Sequence, residues 1–301
     1  MNIIIILLIF CTVLFLYLHI YYHLKTSDDL EVYEISSMSK ERLEEICDLR
    51  QPILFNYDIQ KLQPLNHANI LTNYSSFDIK LRNVSNTYSE TNSVESELFL
   101  PITLKNGIKV LEEDENGKFI SENNGDFLEE TSLIKSLQTS DEFIRPQMMS
   151  SYIYDLIMGS KNATTPFRYD MNYRNYFVVL EGSVKIKMCP PKSGKYLYPI
   201  KDYDNFEFRS PINPWNVQER YVNDFDKVKC MEVTLEPGKI IFIPAYWWYS
   251  LKFDDNTTTV ISFKYRTYMN TMAISPNIFI SFLQKQNIKH DIIMGETSTK
   301  S

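Results

Sequence analysis

The chain has 301 residues, a net charge of −7, and acidic and basic residues interspersed along its length. Because no basic stripe accumulates, this charge pattern argues against nucleic acid as a partner. The length accommodates one membrane segment and one soluble domain large enough to bury a core of its own.

The first segment, residues 3–22, is an apolar run long enough to cross a bilayer as a helix. A cleaved signal peptide would begin with basic residues and end at a small-residue cleavage site, whereas this run follows Met1-Asn2 and ends in His-Ile-Tyr-Tyr-His. The pattern predicts an uncleaved single-pass anchor over residues 1–24, with the lipid bilayer as its partner. Lys25 alone does not decide on which side of the membrane the soluble part lies.

A short acidic linker, residues 25–34, separates the anchor from a predicted domain over residues 35–268. That domain opens with an amphipathic helix over residues 39–50, which Ser39 is able to cap, followed by a strand at 52–55.

Residues 56–141 are polar and harder to interpret. The dipeptide Asn116-Gly117 favours a hairpin that joins Gly107–Leu111 to Lys118–Ile120. Residues 128–137 are predicted to be helical.

The predicted barrel core covers residues 150–266. Hydrophobic alternation is clearest at Val184–Met188, where Lys185 and Lys187 face away from the apolar side. Many strands, few helices and spaced turns favour a closed, mainly β (α+β) architecture. The predicted strands are residues 151–158, 176–180, 184–188, 230–235, 240–244 and 258–265.

The C-terminal part, residues 269–301, is predicted to form a short helix and a polar tail. Within the helix, residues 275–286, one side carries Ile278, Phe279, Phe282 and Leu283. This side either packs on the domain or contacts a partner protein, with oligomerisation as one form of that contact. The oligomeric state remains open.

One stretch, residues 236–253, reads EPGKIIFIPAYWWYSLKF: a tight turn, a buried strand, a sharp corner and a second strand. It resembles the last strands of the cupin-like and JmjC-type hydroxylases, especially their asparaginyl-hydroxylase-like branch. There a PGD run and an IP pair precede WWH, whose histidine binds iron. Here Lys239 replaces the aspartate and Tyr249 replaces the histidine.

A second segment, TTPFRYDMNYRNYFVVLEGSVKIKMCPP, resembles the T-P-x-H-x-D…N…G…PP run of the same family. Asp170 matches the ligand carboxylate and Asn175 matches the asparagine ahead of the strand, while Arg168 takes the place of the ligand histidine. A one-residue insertion allows Tyr169 to occupy that place instead. The lysine that holds 2-oxoglutarate in the family becomes Val184, with Lys185 on the opposite face of its strand.

The resemblance, which covers residues 35–266, implies a double-stranded β-helix (cupin or jelly-roll) with flanking helices, and Fe(II) and 2-oxoglutarate as the family's cofactors. In this chain neither is expected, because a guanidinium has no lone pair to offer a metal and a neutral phenol is a poor Fe(II) ligand. We therefore expect no metal and no catalytic residue. Our hypothesis is that Arg168 pairs with Asp170 in the barrel mouth, close to Tyr249.

Less specialised roles exist for each of these residues. Arg168 could be a solvated loop residue, Asp170 a turn residue and Tyr249 an interface aromatic. The barrel mouth, with Tyr169, Tyr173, Tyr249, Arg168 and Asp170, could hold a peptide or a small acid. The residues expected to line its pocket are Tyr173, Thr165, Trp247 and Lys185. Trp247 and Trp248 have core packing as their alternative.

Two functions follow from these observations. The first is a membrane-anchored, catalytically inactive pseudo-oxygenase that acts as a binding or structural module; such domains also occur in large DNA viruses, which makes a viral source one candidate. The alternative is an Fe(II)/2-oxoglutarate-dependent hydroxylase with non-standard ligands, which would recruit Asp170, Tyr249 and either Glu181 or Glu232.

Overall fold

The computed structural model describes residues 3–88, 98–256 and 258–298, with side chains through residue 286. The helices are α1 (Ile3–Leu24), α2 (Lys40–Cys47), α3 (His67–Tyr74), α4 (Leu104–Glu113), α5 (Gly125–Glu130), α6 (Ile134–Ser140), α7 (Val222–Phe225), α8 (Tyr268–Ala273) and α9 (Ser275–Ser298). Short 3-10 turns cover Gln60–Leu65, Asn86–Tyr88, Pro191–Tyr196 and Glu219–Tyr221.

The strands form two sheets. They are β1 (Tyr33–Ile35), β2 (Ile53–Asn56), β3 (Asp78–Asn83), β4 (Leu100–Thr103), β5 (Phe119–Ser121), β6 (Met149–Gly159), β7 (Arg168–Tyr169), β8 (Arg174–Glu181), β9 (Val184–Cys189), β10 (Ile200–Asp202), β11 (Glu207–Arg209), β12 (Met231–Leu235), β13 (Lys239–Ile243), β14 (Trp248–Phe253) and β15 (Thr259–Thr267). In the described residues the larger sheet has the order β1-β2-β13-β8-β15-β6-β5-β3-β4, and the smaller has the order β10-β11-β7-β14-β9-β12. Apart from the parallel pair β1–β2, the named strand pairs are antiparallel.

The two sheets enclose one apolar core, and the helices cover the outer face of the larger sheet. Strand alternation explains this division, because successive side chains point to opposite faces. On β8, Phe177 and Val179 point into the core between the sheets, while Tyr176 and Val178 face the helices. The α+β architecture with two antiparallel sheets is consistent with the expected double-stranded β-helix.

The stretch over residues 236–253 folds as its sequence predicts. Gly238 has φ of 84° in the turn that begins β13, a conformation that glycine adopts without steric cost. The Trp247 amide donates to the Pro244 carbonyl at the corner, and β14 then leaves through Tyr249. Ser39 also caps α2 as expected, by accepting from the Arg42 amide.

The predicted hairpin around Asn116-Gly117 is wrong. Residues 104–113 form helix α4, and only Phe119–Ser121 is a strand. The helix forms because Leu104, Ile108 and Leu111 recur at helical spacing and are buried against the larger sheet. The predicted helix over residues 128–137 is divided into α5 and α6 at Ser132, whose φ is 60°.

The N-terminal helix α1 is, among the residues that the structure describes, the one that is long and apolar enough to cross a membrane. Both a membrane anchor and a signal sequence have this character. Its apolar stretch is exposed, whereas His23 in its last turn is buried against the domain.

A substitution at Gly159 would test how closely the two sheets pack. A Cβ at this position would lie 2.4 Å from Cδ2 of Phe253, whose ring is fully buried and has no room to move. Gly159→Ala is expected to lower the free energy of unfolding by about 1–3 kcal/mol, measured by urea denaturation in detergent micelles.

Gly125 is the matched control for this substitution. Its Cβ would meet no atom closer than the Tyr154 carbonyl oxygen at 3.7 Å, and it begins helix α5. Gly125→Ala should leave stability unchanged or raise it by up to about 1 kcal/mol. An equal loss in both variants would contradict the close contact at Gly159.

Candidate functional site

The mouth of the barrel is built around the short strand β7. Its register with β14 places Tyr249 opposite Arg168, and its register with β11 places Arg209 opposite Arg168 on the other side. Residues that face each other across a sheet project from the same face. Because Tyr249 belongs to the core between the sheets, Arg168 also points inward.

Asp170 comes directly after β7 and is held by two groups. Lys264 Nζ lies 3.0 Å from Asp170 Oδ1 and 2.9 Å from Oδ2, and the Tyr249 hydroxyl donates to Oδ2 at 2.6 Å. These contacts join the two sheets, because Lys264 lies on β15 of the larger sheet and Tyr249 on β14 of the smaller one. Both oxygens of the retained carboxylate are therefore occupied.

The pKa values of this trio follow from those contacts. Burial alone would raise the pKa of Asp170, but the Lys264 ammonium and the Tyr249 hydroxyl hold it below its usual value. Burial together with the Asp170 charge raises the pKa of Tyr249 well above its usual range. At neutral pH the site thus contains a carboxylate, an ammonium and a neutral phenol.

Arg168 takes part in a second, larger group of buried charges. Its Nη1 donates to Glu207 Oε1 at 2.7 Å and to Glu122 Oε1 at 3.1 Å. Arg82 Nη1 also contacts Glu122 Oε1, at 2.9 Å, and Glu207 Oε1, at 3.3 Å. Arg209 extends the group, with Nη1 3.3 Å from Asp202 Oδ2 and 3.5 Å from Glu207 Oε2.

This group, the arginine–carboxylate cluster, consists of Arg82, Glu122, Arg168, Asp202, Glu207 and Arg209. Burial alone would raise the pKa of Glu207, but the neighbouring guanidinium groups lower this pKa to about 2. The larger sheet supplies Arg82, and Glu122 directly follows its strand β5, whereas the other members come from the smaller sheet. The cluster therefore also connects the two sheets, and among the described residues it contains three arginines and three carboxylates.

A cavity of about 130 Å³ remains at the mouth. Its walls include Arg168, Asp170, Glu207 and Lys264, and also Asp155, whose pKa burial raises to about 6. Pockets that hold small molecules usually measure about 300–1,000 Å³. The cavity is smaller than that range, and the side chains of the ion pairs form part of its walls.

The expected pairing of Arg168 with Asp170 is wrong. The Arg168 guanidinium binds Glu122 and Glu207 instead, and Asp170 binds Lys264. Both residues line the same cavity, but Arg168 has two carboxylate partners of its own and Asp170 has Lys264 at 2.9 Å. Tyr249 does lie beside both, with its ring centroid 5.9 Å from Arg168 Cζ.

Tyr169 and Arg168, the two residues that the resemblance aligns with the family's ligand histidine, point to different surroundings. Tyr169 stacks on Phe208, with ring centroids 5.3 Å apart, and meets Trp248 edge-on, at 4.9 Å. Its ring therefore belongs largely to an aromatic cluster, and Arg168 is the residue that shares the inner face with Tyr249.

Two further predicted site residues have structural roles. Val184 is fully buried in the core between the sheets. Asn175 donates to the carbonyls of Asn172 and Ile243, at 3.2 Å each, and so fixes the loop that follows Asp170 to the end of β13.

Four residues expected to line the pocket lie elsewhere. Tyr173 faces helix α1 and donates to Asp48 at 2.9 Å, while Trp247 fills the core and donates to the Arg50 carbonyl. Thr165 is buried and accepts from the Leu251 amide. Lys185 projects from the outer face of β9, because it alternates with the inward-facing Val184 and Ile186.

Sequence reasoning missed Lys264, Glu122 and Glu207. For Lys264 a signal was present, because strict alternation along β15 assigns it to the same face as Val260 and Ser262, inside the barrel. Glu122 and Glu207 lie in segments without clear periodicity, so their approach to Arg168 depends on tertiary structure alone.

These residues do not fit the iron that the resemblance implies. Two histidines and one carboxylate normally hold Fe(II) in this type of oxygenase. Here Asp170 is bound through both oxygens, Tyr249 retains its proton and Arg168 has no lone pair. Within the described part of the chain, no three His, Cys, Asp or Glu side chains come together as a metal site.

Comparison with known proteins agrees with the fold. The family model described as a cupin-like domain matches residues 52–271. Human HSPB1-associated protein 1 is 31% identical over 108 residues, which are 36% of this chain and 22% of that protein. Lysine-specific demethylase JMJ31 of Arabidopsis thaliana is 28% identical over 150 residues, 48% of this chain and 27% of that protein.

JmjC domain-containing protein D of Dictyostelium discoideum is 28% identical over 95 residues, which are 32% of this chain and 21% of that protein. The alignments thus span about a fifth to a quarter of the length of these relatives. Because the family match covers most of the chain, the protein belongs to the cupin-like domain family, with distant homology to JmjC-domain proteins.

Proposed function

We propose that the protein is a membrane-anchored cupin-like domain that binds no iron and acts as a binding or structural module. The observation that carries this proposal is the contact of the Lys264 ammonium with both oxygens of Asp170. A metal ion would have to displace this ammonium and leave it buried without its partner, which is costly.

The competing proposal is a 2-oxoglutarate-dependent oxygenase. Family membership and the relative named as a lysine-specific demethylase favour it. It would require ligands besides Asp170, yet Glu181 accepts from the His67 amide and Glu232 lies 3.9 Å from Lys187 on the outer side of β12. Neither carboxylate lines the cavity beside Asp170.

The role of α1 as an uncleaved anchor is supported by its last turn. His23 Nε2 lies 3.4 Å from Thr267 Oγ1, and the Arg50 guanidinium lies over the Tyr22 ring at 5.2 Å. Cleavage of α1 as a signal sequence would remove these contacts and expose Tyr173 and Arg50. We therefore place the anchor at residues 1–24 and the domain at 35–268.

Metal binding separates the two proposals. The full chain, purified in detergent and loaded anaerobically with Fe(II) or Mn(II), is expected to retain no more metal than Asp170→Asn does. It should release no succinate from 2-oxoglutarate, whereas an active hydroxylase assayed in parallel does. One tightly bound ion per chain that is lost in Asp170→Asn, together with succinate release, would reject the proposal.

The arginine–carboxylate cluster is expected to stabilise the barrel mouth. Arg168→Met removes one cation and leaves Glu122 and Glu207 buried with less compensation, so it should lower the free energy of unfolding by about 3–5 kcal/mol. The exposed pair Arg42–Glu45, at 2.8 Å, provides the control. Arg42→Met should change stability by less than about 1 kcal/mol, and equal effects would show that the buried cluster has no structural role.

The contribution of Asp170 should depend on pH. Because its pKa in the folded protein lies below the unfolded value of about 3.9, the carboxylate stabilises the fold above that pH. This stabilisation is lost as pH falls through the folded pKa. Urea denaturation should show a deficit for Asp170→Asn that is complete at pH 7 and shrinks below about pH 4.

Asp126 is the control for the pH series, because it also pairs with a lysine, Lys80, at 2.6 Å, but is exposed. Asp126→Asn should change stability by less than about 1 kcal/mol throughout. A deficit for Asp170→Asn that does not vary with pH would contradict the charge pairing with Lys264.

A further inference from the structure

Helix α9 exposes four large apolar side chains on the face that points away from the domain. Its inner face contacts the domain through Ile278, which packs on the cluster of Met171, Phe208 and Ile274, and through two polar groups. The Ser281 hydroxyl donates to the Tyr203 carbonyl at 2.7 Å, and Gln284 donates to Asp204 at 3.3 Å. Its outer face carries Phe279, Ile280, Phe282 and Leu283. A surface helix normally buries such an apolar stripe.

The exposure of this outer face is large. Phe279 is 60% exposed, Phe282 56% and Leu283 46%. A contiguous apolar patch of this kind marks a surface that contacts a protein or a membrane. The neighbouring elements decide between these two partners.

Helix α1 indicates where a bilayer would lie relative to the domain. At 1.5 Å per residue its 22 residues extend about 33 Å, close to the thickness of a hydrocarbon core. Near its C-terminal end it exposes Tyr21, and aromatic side chains of this kind concentrate at the membrane–water interface. The interface level therefore corresponds to residues 21–24, which leaves residues 3–20, about 27 Å of helix, for the hydrocarbon core.

The domain contacts α1 at this same level. Tyr22 and His23 of α1 share one groove with Met148, Tyr268 and Met269. A second groove runs between Leu24 at the end of α1 and Asn277 at the start of α9. Helices α8 and α9 thus begin next to the point where α1 would leave the bilayer, and the exposed side chains of Met148 and Tyr268 lie beside it.

We propose that the outer face of α9, with Met148 and Tyr268 of the adjoining surface, lies in the interfacial region of the bilayer that α1 spans. The proposal rests on the anchor proposed above. Lipid, and not a second copy of the chain, is the expected occupant because α1 brings the bilayer surface to this side of the domain. The domain would then be attached at two places and held in a fixed orientation.

Photo-crosslinking in the full chain tests this inference. Phe282→p-benzoylphenylalanine, reconstituted in phosphatidylcholine and phosphatidylserine liposomes, should form lipid adducts on illumination. The matched control is Ser281→p-benzoylphenylalanine, on the inner face of the same helix. Leu100→p-benzoylphenylalanine, exposed on β4, tests for random collisions, and Leu14→p-benzoylphenylalanine tests the anchor itself.

The expected result is lipid adduct at positions 14 and 282, with yields several-fold lower at 281 and 100. Adduct at position 14 without adduct at 282 would overturn the docking of α9 and leave the anchor intact. Absence of adduct at both positions would overturn both proposals. Covalent dimers formed from position 282 would assign the apolar face to a second copy of the chain instead.

Discussion

The pairing of Asp170 with Lys264 across the two sheets is the interaction on which the rest of the barrel mouth depends. A carboxylate in this position needs a positive partner, because a buried and unpaired charge is costly. The ammonium of Lys264 supplies it, and the Tyr249 hydroxyl completes the coordination of the carboxylate. Both oxygens of Asp170 therefore already have partners within the protein.

The arginine–carboxylate cluster provides partners for a second buried charge, the guanidinium of Arg168. A guanidinium that faces the barrel interior needs acceptors for its planar set of donors, and Glu122 and Glu207 provide them. The cluster also crosses between the sheets at their open end, where apolar packing ends. Ion-paired side chains thus line the cavity at the barrel mouth.

The sequence predicts the scaffold better than the site. The turn, strand and corner over residues 236–253 depend on local sequence signals, so they could be predicted. These signals are the glycine at 238, which adopts the positive φ that the turn requires, and the β-branched run that follows. Periodicity also assigned Val184 to the core. The partners of Arg168 could not be predicted, because Glu122 and Glu207 are 46 and 39 residues distant in sequence. Only the tertiary fold shows that Lys264, 94 residues from Asp170, is its cation.

We propose that the Lys264 ammonium takes the place of a metal beside Asp170. Anomalous diffraction from crystals of the full chain, grown anaerobically with Mn(II), tests it most directly. The account predicts no anomalous peak at Asp170, with the Lys264 ammonium still bound to both of its carboxylate oxygens. A peak bonded to Asp170, with Lys264 displaced from it, would contradict the account.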